Sequence, residues 1–516
     1  MPMVYLGMRL ITTLLLLSTV VEAQPRVTKP ALTLLIIVDQ LPSQRLQRAL
    51  SKMLAAGNAK RPGGFRYLIA RGAYYPRAVF DVLHAVTAPG HATLLSGAYP
   101  AQHGIVLNSW YDRKARAVVL ATEDARCQMI GASGICHSAH RLRAPTLGEA
   151  IKIADPQARL ASVAIKHRAA VLMAGNLADR VFWLDVDTWR WVTSSAYRDL
   201  LPEYALALNR KLAAMRGQKL AWKARGVDRL LSIGTREALG TPYAAQMTAD
   251  LALATLRGEA LGKRGHPDLL TISFSSTDYA GHDYGAKAPE VLDTLLAVDR
   301  AISRILSAVS QQLGGLDRVL IVVSSDHGAA PKVRRVTGSG DQFQDHWRKR
   351  LEQGLSKSFG PDRYIAADSY FNYWLDDAAL ARHRIKRQLA LKRAKELLID
   401  QPGVRQVLTA DDTASGKITS AVPASQVANG YLAGLSGDIV VIGKRYVVPG
   451  KNPGDHGTGY SYDTCVPLLI AGALIAPGQR LANARTIDIV PTISHILQIT
   501  PPAMAHGRVL TEALRR

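Results

Sequence analysis

The segment LTLLIIVDQ, residues 32–40, is a continuous apolar run that ends on an aspartate. A continuous run, rather than an alternating one, is typical of a strand that is covered on both faces of a parallel sheet. The same pattern recurs four more times, as ASVAI at 161–165, LLTISF at 269–274, VLIVV at 319–323 and PLLIA at 467–471. Helical stretches separate these runs, so the sequence predicts a layered α/β/α sandwich with a mostly parallel central sheet.

Two helices can be placed between these strands. Thr146-Leu-Gly-Glu149 is a capping-box pattern that opens the helix EAIKIA. Residues 290–313 form a long amphipathic pattern that ends at Gly314-Gly315. Two stretches, about 111–264 and about 331–447, fit the strand–helix rhythm poorly. We expect both to be insertions that form a smaller cap near the ligand-binding face, and the basic run at 378–398 to be a solvated helix.

Composition excludes several protein classes. The chain has 516 residues, 64 Lys+Arg and 41 Asp+Glu, which gives a net charge of 64 − 41 = +23. With 48% apolar residues it is not a disordered, collagen-like or coiled-coil chain. The positive charge is compatible with nucleic acid, an anionic membrane or an enzyme for small anionic substrates. Because the charge is spread along the chain and aromatic residues are only 6%, we favour the enzyme and expect no nucleic-acid partner.

The N-terminus has the pattern of an export signal. Arg9 precedes an uncharged run from Leu10 to Val21, and small residues flank Glu22 at a candidate cleavage site after Ala23. The sequence predicts a signal peptide at 1–23 and a mature catalytic domain at 24–516, periplasmic or secreted. An uncleaved anchor or a buried N-terminal helix is the alternative, but the run is short for a membrane span, and we expect no stable membrane anchor.

The chain has three cysteines, Cys127, Cys136 and Cys465. Export places them in an oxidising compartment. A short Gly- and Ser-containing segment separates the first two, so we expect a disulfide between Cys127 and Cys136. Cys465 is then left unpaired, and we expect it to be buried.

Polar side chains follow the apolar strands, where parallel sheets bind ligands. Asp39 follows the first strand, Asp278 and His282 follow the third, and the pair Asp326-His327 follows the fourth. Gly454-Asp455-His456-Gly457 comes just before the last strand. Carboxylate oxygens and imidazole nitrogens together suit zinc or a similar divalent cation.

The segment DVLHAVTAPGHATLLSGAYPAQHGIVLNSWYD, residues 81–112, contains Thr87 at the start of a helix that should end near Gly97. A threonine in this position is usually an N-cap. It could also be a nucleophile whose alkoxide is stabilised by a nearby dication. The local sequence leaves both possibilities open.

Taken together, these motifs resemble the alkaline phosphatase superfamily, and most closely its phosphate-irrepressible (PafA-type) alkaline phosphatases with a threonine nucleophile. The resemblance covers nearly the whole mature chain. It implies two zinc ions, one held by Asp278, His282 and His456 and the other by Asp39, Asp326 and His327. It further implies that Thr87 is the nucleophile at the metal site, that Asn108 binds a phosphoryl oxygen, and that the enzyme works through a covalent phosphothreonine. His84, His91 and His103 are then structural, because the ligand sets are complete without them.

VAIKHR places Lys166 and Arg168 two residues apart after a strand, so an extended chain would point both the same way. The family's phosphomonoesterases have K-x-R here. Two cations favour a dianionic monoester over a diester, which carries one charge less. The resemblance therefore implies a zinc-dependent, broad-specificity phosphate monoester hydrolase, acting on small molecules and expected to be a monomer. The alternative function is that of a phosphodiesterase or nucleotide pyrophosphatase of the same superfamily. For Lys166 and Arg168, the alternative is that both are surface charges with no role in substrate binding.

Overall fold

The computed structural model describes residues 29–58, 60–336, 342–415 and 424–515. The signal peptide predicted at 1–23 lies outside these residues. No helix within the described ranges has both the length and the apolar character needed to cross a bilayer.

The strands, numbered in chain order, are β1 Leu32–Val38, β2 Gly72–Val79, β3 Ser109–Asp112, β4 Ala117–Leu120, β5 Met129–Ile130, β6 Leu160–Ala164, β7 Arg180–Asp185, β8 Arg190–Ser194, β9 Lys219–Ala224, β10 Val227–Ser232, β11 Asp268–Phe274, β12 Val319–Ser324, β13 Ile365–Ser369, β14 Asn372–Leu375, β15 Val404–Thr409, β16 Ile439–Gly443, β17 Cys465–Ala471 and β18 Gly478–Gln479. The α-helices are α1 Ser43–Ala49, α2 Phe65–Arg71, α3 Thr87–Ser96, α4 Pro100–His103, α5 Leu147–Ala154, α6 His167–Ala174, α7 Glu203–Met215, α8 Pro242–Gly258, α9 Ser276–Tyr284, α10 Pro289–Leu313, α11 Phe343–Phe359, α12 Asp377–Arg382, α13 Arg387–Leu398, α14 Ala410–Ala414, α15 Ala424–Gly430, α16 Ser461–Thr464 and α17 Ile489–Leu497.

A ten-stranded sheet forms the centre of the fold, in the order β18-β2-β17-β12-β1-β11-β6-β7-β8-β5. β1 pairs in parallel with β11 and β12, and β6 and β7 continue the parallel set on the far side of β11. Along β1, Leu35 and Ile37 pack on one face with α3, α5, α6 and α17, whereas Leu34 and Ile36 pack on the other with α1, α2, α8 and α10. The predicted three-layer α/β/α fold with a mostly parallel sheet is therefore confirmed.

Local sequence signals placed several helix ends correctly. Thr146 and Glu149 form the capping box at the start of α5, each side chain accepting from the backbone of the other. The long helix α10 ends at Gly314, which has a left-handed φ of 74°. α3 ends at Gly97, whose φ is 68°.

Three sequence-based expectations need correction. The run at 467–471 lies in a strand, β17, but β17 is antiparallel to β12 and β2; burial on both faces produces the same apolar run in either direction. Most of 111–264 is not a cap, because β5 to β8 extend the central sheet. The basic run at 378–398 is two helices, α12 and α13, because Arg384 between them has a left-handed φ of 51°.

A small lobe lies within the second expected insertion. β13, β14, β16 and β15 form a separate sheet, which packs with α11, α12 and α13. We call residues 343–447 of the described chain the small lobe. Its core is built around large aromatic side chains such as Trp347 and Tyr373, both fully buried.

Cys127 and Cys136 are joined by a disulfide that closes a loop near β5. Cys465 is unpaired and half-buried rather than buried.

Candidate active site

The carboxyl ends of the central parallel strands deliver the site. Asp39 follows β1, and α9 begins directly after β11, so that Asp278 and His282 lie one helical turn apart. Asp326 and His327 follow β12. His456 comes from the loop that leads to β17. All six side chains meet at one edge of the sheet, as the sequence predicted.

These residues form two groups that could each hold a cation. The first cluster is Asp278, His282 and His456, and the second cluster is Asp39, Asp326 and His327. Within each cluster one ligand atom per residue lies within 4.8 Å of the others. The clusters adjoin, since the rings of His327 and His456 stack with centroids 3.7 Å apart.

Hydrogen bonds orient all three histidines in the same sense. Nδ1 of His456 lies 3.0 Å from the Ala85 carbonyl oxygen, and Nδ1 of His327 lies 2.9 Å from that of Gly328. Nδ1 of His282 lies 2.8 Å from Asp455 Oδ1. A ring that donates from Nδ1 presents the Nε2 lone pair, which is the usual arrangement of a metal-binding histidine. Each Nε2 faces a carboxylate of its own cluster.

Two buried carboxylate oxygens in the second cluster, Asp39 Oδ1 and Asp326 Oδ2, have no hydrogen-bond partner among the described residues. Each lies 3.3 Å from His327 Nε2. Buried polar atoms without a partner are costly, whereas a cation bound by two carboxylates and an imidazole satisfies all of them. The donor set and the free lone pairs therefore fit zinc or a similar divalent ion.

The electrostatics of the clusters point the same way. Burial, together with the charges of Asp278 and Asp326, raises the pKa of Asp39 well above its ordinary value. Burial lowers the pKa of His327 to about 3, which keeps its ring neutral and able to ligate. Burial also opposes a charge on His282, but Asp278 and Asp455 outweigh it and raise its pKa to about 10. A cation at the first cluster must therefore displace a proton from this ring.

Lys166 lies between the clusters. Its buried ammonium donates to Asp39 Oδ2 and to Asp278 Oδ2, both at 2.5 Å, and lies 3.3 Å from Thr87 Oγ1. Burial favours the neutral amine, but the two carboxylates outweigh it and raise the pKa of Lys166. The ammonium is thus a fixed positive charge beside the Thr87 hydroxyl.

The geometry of the K-x-R pair differs from the expectation. Lys166 is the N-cap residue of α6 and Arg168 lies in the first helical turn, so the two are not on an extended chain that points both the same way. The reason is that the strand ends at Ala164 and the helix starts at once. The charge of Arg168 partly offsets the pKa increase that burial imposes on Tyr279 and Tyr370, which places its guanidinium near both phenols.

Thr87 is the first residue of α3, and the N-cap position is occupied by Val86. The capping role that the sequence left open therefore does not apply. Thr87 Oγ1 lies 3.5 Å from His327 Nε2, at the second cluster. Asn108 lies beside it, because Asn108 Oδ1 accepts from the Ala88 backbone at 2.8 Å.

The other three histidines of the Thr87 segment have partners of their own, and only His91 touches a cluster, with Nδ1 3.3 Å from Asp326 Oδ2. His91 bonds Thr87 O and Ser273 Oγ, both at 2.8 Å. His103 bonds the Thr93 hydroxyl and the Ile105 backbone. His84 accepts from Asn372 at 3.0 Å.

Sequence reasoning missed Gln40. This buried residue has a left-handed φ of 61°. Its backbone N–H donates to Asp326 Oδ1 at 3.3 Å, and its side-chain amide donates to Asp278 Oδ1 at 2.9 Å, so it contacts both clusters. Only its place directly after Asp39 could have indicated this role. Gly281 makes room for it, since a Cβ there would lie 1.9 Å from Gln40 Oε1.

Tyr370 was also missed. It reaches the site from the small lobe, and its hydroxyl accepts from Asn108 Nδ2 at 2.8 Å. Its position depends on tertiary packing between the lobe and the central sheet, for which the sequence carries no local signal.

Comparison with known proteins gives consistent matches. Alkaline phosphatase PafA of Elizabethkingia meningoseptica is 28% identical over 533 residues, which cover 95% of each sequence. A protein of Myroides odoratus named calcium-transporting ATPase is 27% identical and covers 97% of each. The crystal structure of wild-type PafA superposes with a TM-score of 0.85 at 28% identity, over 95% of this chain and 100% of that chain. A PafA variant substituted at a threonine, an asparagine, a lysine and an arginine superposes with a TM-score of 0.84 at 27% identity, with the same coverage of both chains.

The superposition with PafA supports the alkaline phosphatase-like fold that the sequence predicted. The sequence model of the family described as type I phosphodiesterase / nucleotide pyrophosphatase matches residues 33–459. This match spans most of the chain and includes every residue of the two clusters. The protein therefore belongs to the type I phosphodiesterase / nucleotide pyrophosphatase family of the alkaline phosphatase superfamily.

Proposed function

We propose that the protein is a zinc-dependent, broad-specificity phosphate monoester hydrolase, an alkaline phosphatase that acts through a phosphothreonine at Thr87 and releases inorganic phosphate. One observation carries the proposal: the Thr87 hydroxyl lies within 3.5 Å of both Lys166 Nζ and His327 Nε2, where the two clusters meet. Relatives that are named alkaline phosphatases support hydrolysis of phosphoric esters.

The first cluster would hold one zinc ion and the second cluster the other. Bound there, the ions would supply positive charge that stabilises the entering and departing oxygens. The unpartnered oxygens of Asp39 and Asp326 and the Nε2 atoms that face the carboxylates of their own cluster support this assignment.

The chain's own residues set up two successive transfers. Thr87 Oγ1 attacks phosphorus, the P–O bond to the alcohol breaks, and the proton lost by Thr87 is balanced by the proton that the departing alkoxide takes up to leave as the alcohol. Water then attacks phosphorus, the P–Oγ1 bond breaks, one water proton restores the Thr87 hydroxyl and phosphate leaves, so that the net reaction consumes one ester and one water. The ammonium of Lys166, 3.3 Å from Thr87 Oγ1, would place a positive charge beside the oxygens on which negative charge develops.

Lys166, Arg168 and Asn108 would bind the phosphoryl oxygens. The backbone of Ala88 and the hydroxyl of Tyr370 fix both ends of the Asn108 amide, so its position is set before substrate binds. Two cations beside one phosphoryl group favour a dianion. The PafA variant named above carries substitutions at the same four residue types in the same order along the chain, Thr, Asn, Lys and Arg.

Hydrolysis of diesters is the second candidate, because the matching family is described by phosphodiesterase and nucleotide pyrophosphatase activity. Comparing rates on p-nitrophenyl phosphate, bis(p-nitrophenyl) phosphate, p-nitrophenyl sulfate and ATP separates the two. ATP belongs in the panel because one relative is named an ATPase. The proposal requires the monoester to be the preferred aryl substrate, and a preferred diester would overturn it.

The decisive variant pair is Lys166→Ala plus Arg168→Ala. Loss of two charge-assisted contacts, each worth roughly 1.5–3 kcal/mol, should lower kcat/KM for the monoester by roughly 10²- to 10⁴-fold. The diester, with one charge less, should lose much less. Lys392→Ala plus Arg405→Ala removes the same two charges from exposed positions and should change neither rate. Equal losses on both esters in the first pair would show that it does not select for substrate charge.

Metal dependence is tested on the same samples. EDTA should abolish turnover, and zinc should restore it better than magnesium. Full activity in a protein shown by elemental analysis to contain no metal would contradict the assignment of the two clusters.

We further propose export with cleavage after Ala23, and a monomeric mature protein. The uncharged run that follows Arg9 supports export. Mass spectrometry of the mature N-terminus, expected at Gln24, tests cleavage, and sedimentation tests the monomer.

A further inference from the structure

A large cavity lies apart from the candidate active site, beside α1. Its volume is about 780 Å³, and it is bounded by α1, the middle of β2, the start of α10 and the segment that leads into β17. None of the candidate catalytic residues or cluster residues lines it. A cavity of this volume has the size of a small-molecule site, for which roughly 300–1,000 Å³ is usual.

The charge lining this cavity has one sign. Six of its residues are cationic, namely Arg45, Arg48, Lys52, Arg77, Lys287 and Arg445, and no aspartate or glutamate lines it. Throughout the described ranges, none of these six forms an ion pair with a carboxylate, whereas Arg508 at the chain's other end pairs with Glu512 at 2.6 Å. Six like charges around one concavity repel one another, and a bound anion would relieve that repulsion.

Arg45 sits deepest in this arrangement. Its Nη1 donates to the backbone oxygen of Gln40 at 2.5 Å. Its Nη2 is buried and has no hydrogen-bond partner among the described residues. Burial lowers the pKa of Arg45 to about 10, still well above neutrality. A buried, charged donor without an acceptor is costly. Arg45 therefore adds a partly desolvated positive charge to the wall of the cavity.

One wall of the cavity is aromatic. Tyr446 and Tyr462 both line it, and their rings stack with centroids 5.4 Å apart. The guanidinium of Arg445 lies 5.0 Å from the centre of the Tyr446 ring. The wall thus offers apolar contact next to cationic groups.

We propose that this cavity is a second, non-catalytic binding site for a small phosphorylated molecule that carries several negative charges. Guanidinium groups bind phosphoryl oxygens in pairs through two parallel N–H donors, and four of the six cations are arginines. The volume of about 780 Å³ fits a small molecule, whereas nucleic acid or a membrane surface would need an extended face. The site is independent of the proposed function, because no residue of the catalytic proposal lines it.

Cys465 provides a local reporter. It lines the cavity, is unpaired, and its Sγ lies 3.7 Å from Ser43 Oγ. The other two cysteines are joined to each other, so a neutral thiol reagent such as N-ethylmaleimide modifies Cys465 alone. A molecule that occupies the cavity should slow this modification.

The experiment measures the rate at which N-ethylmaleimide modifies Cys465 across a titration with inorganic tripolyphosphate. The protein carries Thr87→Ala. If the proposed phosphatase function is right, this substitution prevents hydrolysis of tripolyphosphate. If the proposed function is wrong, the substitution still leaves the cavity unchanged. Tripolyphosphate should protect Cys465 with a saturable concentration dependence. Failure of tripolyphosphate to protect Cys465 would count against the cavity proposal alone. The comparison of hydrolysis rates on the aryl esters and ATP tests the catalytic proposal alone.

Two double variants localise the effect. Arg48→Glu plus Lys287→Glu reverses two exposed charges in the cavity and should raise the half-protecting concentration by about tenfold or more. Lys211→Glu plus Lys392→Glu makes the same change in net charge on exposed residues elsewhere and should leave it unchanged. Arg45 is not substituted, because it also contacts Gln40 beside the clusters.

No protection by tripolyphosphate in the parent protein would overturn the proposal. An equal increase of the half-protecting concentration in both double variants would also overturn the proposal, since the effect would then follow the net charge of the protein and not the cavity. Protection by duplex DNA or by phosphatidylglycerol vesicles, but not by tripolyphosphate, would replace the small molecule with a macromolecular partner.

Discussion

Gln40→Ala should weaken cation binding at the first cluster and spare the second. The substitution removes the side-chain amide that donates to Asp278 Oδ1 at 2.9 Å and to the Gly454 carbonyl at 3.2 Å. It keeps the backbone N–H that donates to Asp326 and the backbone oxygen that accepts from Arg45. The two clusters should therefore respond differently to one change.

The magnitude follows from the contacts that are lost. A hydrogen bond to a charged acceptor is worth roughly 1.5–3 kcal/mol, and the bond to Gly454 adds roughly 0.5–1.5 kcal/mol. Removal of a partner that orients a metal ligand usually costs about 10- to 100-fold in metal affinity, or about 1.4–2.8 kcal/mol. The two estimates for the Asp278 contact agree, so we expect affinity at the first cluster to fall about 10- to 100-fold.

Titration with zinc in competition with a chromophoric chelator measures both sites. The wild-type protein should show two tight equivalents, and Gln40→Ala one tight and one weakened equivalent. Gln44→Ala, on the exposed side of α1, is the matched control and should behave as wild type.

Gln40→Gly loses the same amide but relieves the left-handed backbone at φ 61°. It should therefore be about 1–2 kcal/mol more stable than Gln40→Ala, with the same weak site. Two undisturbed tight sites in Gln40→Ala would refute the reasoning.

Three further predictions concern other parts of the chain. The hydrogen bond from Arg508 is the main cause that lowers the pKa of Glu512, from 4.5 to about 2. The ionised Glu512 therefore stabilises the folded protein above pH 4.5, and this contribution is lost as the pH falls towards 2. The Tm difference between wild type and Glu512→Gln should shrink over that range. Replacing Cys127 and Cys136 by serine opens a loop with a sequence separation of 9, and chemical unfolding should show a loss of about 2–3 kcal/mol; unchanged stability would argue against the bond. Tyr370→Phe removes the hydroxyl that accepts a hydrogen bond from the Asn108 amide, the candidate phosphoryl-binding group. Steady-state kinetics should show kcat/KM lowered by about 2- to 12-fold. A kcat/KM equal to wild type would contradict a role for the small lobe.

The sequence carried enough information to place five of the six cluster residues at one edge of the sheet. His456 precedes β17 and reaches the same edge because β17 runs antiparallel to β12. Continuous apolar runs identify strands buried on both faces, and parallel strands end at a common edge. Asp39 and Asp326 follow such runs within a few residues, so their convergence could be predicted without knowledge of the packing. The structure brings Thr87 to the same edge through α3.

Other features depend on information that is not local. The direction of β17 is invisible in its composition, because an apolar strand has the same residues whichever way it runs. The left-handed Gln40 contacts Arg45, which is close in sequence, and Asp326, which lies 286 residues away along the chain and therefore carries no local signal. Strand-like spacing suggested an extended chain through Lys166 and Arg168, but α6 starts between them, which the spacing alone does not reveal.

In the proposed reaction, Thr87 carries the phosphoryl group between two cation sites. The most direct test is acid quenching during turnover of a phosphate monoester, followed by proteolysis and mass spectrometry of the peptide that contains Thr87. The account predicts one phosphoryl group on Thr87 in the wild-type protein, and neither this adduct nor turnover in Thr87→Ala, although zinc content stays near that of wild type. Turnover of Thr87→Ala at the wild-type rate would contradict it.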